Sequence, residues 1–71
     1  MGTDNSTKLN KSVGEQLREA REKLHLTQLA VAEAAHISTN YYAQIERDEV
    51  NPSVDKLQPL KEILKIKEIK I

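Results

Sequence analysis

The chain of 71 residues has no cysteine, eleven basic and eleven acidic side chains, and a formal net charge of zero. A chain this short holds one small domain. With no thiols to form a disulfide framework or a thiolate metal site, regular helix packing or self-association must stabilise it. No apolar run approaches the roughly 20 residues that span a bilayer, and no signal-peptide core follows Met1, so a cytoplasmic protein with no membrane association is expected.

Residues 1–10 are polar and aperiodic, and are expected to form a flexible leader. Met1-Gly2 with Ser6 fits a myristoylation template, and Asn5-Ser6-Thr7 a glycosylation acceptor, but polar leaders produce such strings by chance. Helix signals begin after them. Ser12 followed by Glu15 is a capping-box pattern, and Val13, Leu17, Ala20 and Leu24 recur along one face of a helix. Glu15, Arg18, Glu19, Glu22 and Lys23 form its solvated face. A second helix is predicted from an N-cap at Thr27 through Ala35, with Val31, Ala32 and Ala35 inward and the alanines small enough for close approach. His36-Ile37 makes a break, Ser38 caps again, and a third helix is predicted from about Thr39 to Arg47. Its periodicity turns Tyr42 and Ile45 inward and leaves Thr39, Asn40, Ala43 and Gln44 outward.

After a polar loop at residues 48–52, Ser53 can cap a fourth helix in which Val54, Leu57, Leu60 and Leu64 keep helical spacing. Pro59 falls inside it. A proline beyond the first turn removes a backbone bond and clashes with the preceding turn, costing about 3 kcal/mol, and it disfavours helical dihedrals at Gln58. A kink is expected, or a single turn at 54–57 followed by a helix restarting at Pro59. From Leu64 to Ile71 apolar and charged residues alternate, as either a continued helix or a strand would allow. The chain thus divides into a leader (1–10), an all-α domain (11–66) and a tail (67–71).

Two short helices joined by a tight turn, the second with small polar side chains on its outer face, suit major-groove readout. A helix fits the groove, and Thr, Asn and Gln can bond base edges. Helix N-termini can hold phosphates in register. The same features also fit a polar surface helix of any small bundle. Charge is unevenly spread. Residues 25–51 carry Arg47 alone against Glu33, Glu46, Asp48 and Glu49, while residues 52–71 carry five lysines against three acids. Any phosphate grip has to come from Arg47 and from flanking lysines such as Lys8, Lys11 and Lys56.

Specific strings narrow the choice. Leu26-Thr27-Gln28, Val31-Ala32-Glu33-Ala34-Ala35, Ile37-Ser38, Tyr41-Tyr42-Ala43-Gln44-Ile45-Glu46-Arg47 and Asn51-Pro52-Ser53 closely resemble the phage Cro and repressor-type (xenobiotic-response-element) helix-turn-helix regulators. Leu17-Arg18-Glu19-Ala20-Arg21 resembles that family's first helix, so the likeness covers about Val13 to Leu64. The resemblance implies a four- to five-helix lambda-repressor-like DNA-binding domain, no cofactor and no metal. It implies base contacts from Thr39, Asn40, Ala43 and Gln44, with Ala43 meeting a thymine methyl. It also implies backbone contacts from Gln28, Tyr41 and Arg47, although Gln28 can instead brace the reading helix and Tyr41 can be a partly exposed packing residue. Tyr42 takes an aliphatic core position of the family. Arg21 and Glu46 are implied to form a partly buried ion pair.

The chain departs from the family pattern at three places. His25, His36 and Asp48 stand where the family has glycine after each helix, Pro59 lies in the fourth helix, and the sequence stops at Ile71, where the family usually continues into a fifth helix. His and Asp tolerate a left-handed backbone at some cost, which explains both histidines without a metal. No nucleophile–base–orienter set or glycine-rich phosphate loop is present, so an enzyme is not expected. The expected partner is double-stranded DNA, read as a two-fold symmetric operator by a homodimer. A protein-interaction module of antitoxin-like type, using the acidic middle and the apolar tail, is the alternative.

Overall fold

The structure is a computed structural model and describes residues 11–67. The leader with its two short motif matches, and the last four residues of the tail, lie outside the described residues. Four helices follow in order, α1 (Val13–Lys23), α2 (Gln28–Ala35), α3 (Thr39–Glu46) and α4 (Val54–Ile63), with no strand among the described residues. Each starts at a hydroxyl cap. Ser12 and Glu15 form the reciprocal capping box at α1, and the Thr27, Ser38 and Ser53 hydroxyls accept from the amides of Ala30, Tyr41 and Lys56.

All four helices also stop in one way. His25, His36, Asp48 and Lys65 have φ of 59, 60, 62 and 58°. The amide after each reaches back to a carbonyl of the last turn, as Leu26 to Arg21 (3.1 Å), Ile37 to Ala32 (3.0 Å), Glu49 to Gln44 (2.9 Å) and Ile66 to Lys61 (2.8 Å). These paired backward bonds and the left-handed residue define the Schellman ending, which satisfies carbonyls the helix leaves open. The left-handed turn at Lys65 carries the chain off the axis of α4, so residues 64–67 neither continue the helix nor form a strand.

The core is Leu17 from α1, Val31 and Ala32 from α2, Tyr42 and Ile45 from α3, and Leu60 and Leu64 from α4 and its cap. α3 packs on both α1 and α2, and α4 packs on α2. α2 and α3 each pack on two other helices and form the centre of the fold.

Pro59 does not interrupt α4, contrary to the expected single turn at 54–57 with a helix restarting at Pro59. The helix runs unbroken from Val54 to Ile63 with the proline inside it. Leu57 precedes the proline and is partly buried, while Leu60 and Leu64 follow it and are fully buried, so apolar burial on both sides holds the segment helical through the proline. Asp55, whose carbonyl loses a partner to the proline, is exposed to water.

Candidate nucleic-acid interface

α2, the turn at 36–38 and α3 form a helix-turn-helix. Tyr42 and Ile45 fix the buried side of α3. Asn40 is exposed, while Thr39, Tyr41 and Gln44 are half-buried. Asn40 and Gln44 stand four residues apart and therefore share a face of α3. Ala43 is not outward as expected. It is 8 % exposed, because the packing of α3 on two neighbours covers more of its circumference than a single apolar stripe predicts. Tyr41 packs partly against the core.

The scaffold grips α3 at two points. The first is the implied ion pair. Arg21 Nε and Nη2 donate to Glu46 Oε2 and Oε1 at 2.6 and 3.0 Å, and Arg21 Nη1 donates to the Leu26 carbonyl at 3.0 Å. The two side chains retain 14 % and 2 % of their exposure. Gln28 Nε2 donates to Glu46 Oε1 at 3.0 Å, so Gln28 braces the reader and joins α2 to α3. Burial pushes the Glu46 carboxyl up, yet Arg21, the nearby Tyr42 hydroxyl and Gln28 outweigh it and hold it below the ordinary range. The Tyr42 hydroxyl is pushed up by burial and by the Glu46 charge, and it finds no hydrogen-bond partner of good geometry.

The second grip is Asp48, just past α3. Its carboxylate accepts from the Ser12 hydroxyl at 2.6 Å and from the Gly14 amide at 3.1 Å. A carboxylate at the amino end of α1 also complements the helix dipole. Gly14 is what lets the segments meet. A Cβ there would lie 2.4 Å from the Ile45 carbonyl oxygen and 2.6 Å from that of Glu46. Sequence reasoning missed Gly14, and it marked Asp48 only as a stand-in for glycine without its contact to α1. A lone glycine inside a capped helix was the available signal.

The basic groups are less free than charge counting suggests. Lys11 Nζ lies 2.5 Å from Glu19 Oε1. Arg47, the C-cap of α3, donates through Nε and Nη2 to Glu49 Oε2 and Oε1 at 2.8 and 3.0 Å. That pairing holds the Glu49 carboxyl below its ordinary range. Lys56 is exposed, and Lys8 lies outside the described residues. Among the described residues no cluster of His, Asp and Glu has metal-holding geometry, and no helix is long and apolar enough to cross a membrane.

A helix-turn-helix whose second helix is held by a buried ion pair, within four helices, defines a Cro/repressor-type regulatory domain of lambda-repressor-like fold. The chain belongs to the family described as Helix-turn-helix, which matches residues 17–71. It is similar to an immunity repressor protein of Bacillus phage phi105, 43 % identical over 47 residues. That match covers 66 % of this chain and 33 % of the relative, so the chain spans about a third of the protein it resembles. No solved structure matches it significantly.

Proposed function

We propose that the domain binds double-stranded DNA sequence-specifically and regulates transcription, with α3 lying in the major groove. Asn40 and Gln44 share a face of a helix whose opposite side is locked by the Arg21–Glu46 pair, and this observation carries the reading. Either side chain can bond an adenine edge in two places, and Thr39 stands beside them. Tyr41 and Arg47 are the candidate phosphate contacts. Gln28 reaches a phosphate only through donor capacity left over from its bond to Glu46. Ala43 exposes too little to offer more than its methyl edge to a thymine. The printed name of the phi105 relative supports repression over activation.

A homodimer on a two-fold site, with half-sites about one helical turn apart, completes the proposal. The weak charge of a single reader supports it, and a cytoplasmic setting goes with it. The second reading, a protein-interaction module, draws on Val54, which is 79 % exposed and lines an apolar groove of about 320 Å³ with Val13, Pro52 and Leu57.

Selection from a randomised duplex pool at about 50 mM salt separates the two readings. The DNA reading expects enrichment of one sequence and affinity that falls steeply with salt. Asn40→Ala and Gln44→Ala should each lose about 1–3 kcal/mol against the selected site, and less against unrelated duplex. No duplex binding would leave the protein-interaction reading.

A further inference from the structure

Arg47 is the only lysine or arginine between residues 25 and 51, and it sits at the end of the reading helix. Its fork is already occupied. Two parallel bonds join it to Glu49, the arrangement in which a guanidinium also receives the two free oxygens of a phosphodiester. Glu49 does not meet it by chance of a loose side chain. The left-handed Asp48 and the 2.9 Å bond from the Glu49 amide to the Gln44 carbonyl fix its backbone within the ending of α3. Both side chains are about half exposed, at 54 % and 51 %. An ion pair that open to water adds little to the fold. Its geometry instead bears on what else can reach the arginine. The neighbouring acid, Asp48, is committed to Ser12 and Gly14, so Glu49 is the carboxylate placed to compete there.

We propose that Glu49 is a built-in phosphate surrogate, which occupies the Arg47 fork in the free protein and is displaced by a DNA phosphate on binding. This rests on the DNA-binding reading above. Glu49 then acts as a positioning residue. It presets the orientation of the guanidinium and attenuates backbone affinity, without touching a base. The attenuation is uniform across sequences, because the group it screens reads no sequence. It also lowers the number of phosphates the free arginine can neutralise, so affinity depends more on the few base contacts of α3.

The test measures affinity of the full chain, Glu49→Gln, Arg47→Ala and the double variant, for the selected duplex and an unrelated one across a salt series. Glu49→Gln should bind both duplexes about two- to fivefold more tightly. Its dependence of log affinity on log salt should steepen by up to about one. In the Arg47→Ala background the same substitution should change nothing. Thermal unfolding of Glu49→Gln should match that of the parent, since the pair is exposed. Unchanged binding by Glu49→Gln, or an equal gain with Arg47 already removed, would overturn the surrogate role and leave DNA binding standing. Failure of the parent chain to bind any duplex would instead overturn the DNA reading, and the surrogate with it.

Discussion

Glu46 keeps its charge although it is only 5 % exposed, because Arg21 and Gln28 donate three hydrogen bonds to its carboxylate. Removing one partner leaves the other buried and unpaired, so Arg21→Ala should cost about 3–5 kcal/mol in denaturant unfolding, far more than the pair adds over an apolar substitute. Unchanged stability in that variant would show that the ion pair does not hold α3. The same residue sets a pH response. The folded carboxyl titrates below its unfolded value of about 4.3, so its contribution is complete above that pH and is lost as pH falls through the folded value. Acid titration of unfolding free energy should therefore drop more steeply below about pH 4.3 in the parent than in Glu46→Gln, each measured against its own neutral-pH stability. Parallel curves would argue against a depressed carboxyl. The Arg21–Glu46 pairing was readable from family likeness alone, since two letters 25 residues apart carry no local sign of contact. Gly14 and Asp48 were opaque for a related reason. Their meaning lies in a tertiary contact between the start of α1 and the end of α3, which no local window contains.

At the level of elements, helix starts were legible and helix ends only partly so. Ser12, Thr27, Ser38 and Ser53 announce their helices because a cap is a local bond to an amide three residues on. His25, His36 and Asp48 stood out as substitutes for glycine, but Lys65 did not, since nothing in the alternating tail requires a left-handed residue there. Pro59 misled for the opposite reason. A strong local penalty met a burial pattern running through it, and burial prevailed. Non-glycine residues at φ near 60° carry strain, which glycine relieves while adding some unfolded-state entropy. His36→Gly should stabilise the fold by about 0.5–1 kcal/mol, and His36→Val should destabilise it by about 1–2 kcal/mol. The midpoint of urea unfolding reads both, and equal midpoints would argue against strain at the turn between α2 and α3.

The whole molecule holds α3 firmly but sets little positive charge around it. The apolar residues of α4 and of the stretch just after it close the core, with Leu60 and Leu64 buried and Ile63 and Ile66 packed on them. They therefore leave less for self-association than the sequence suggests. Among the described residues, the large apolar side chains left exposed are Val54 with its groove, and Leu29 on α2. If the homodimer forms, sedimentation across protein concentrations should give a mass that rises toward twice 8.1 kDa, and duplex carrying two half-sites should bind cooperatively. A mass fixed at one chain, with or without DNA, would exclude it. Asp48 bears on how this small structure comes apart. Its backbone ends α3 while its side chain closes the start of α1, across 34 residues of chain. The first helix therefore cannot complete its own beginning until the third has finished. The Gly14 amide should exchange its hydrogen only as fast as the end of α3 opens, so fraying at one terminus is thermodynamically coupled to the centre, and the two should unfold as a single cooperative unit.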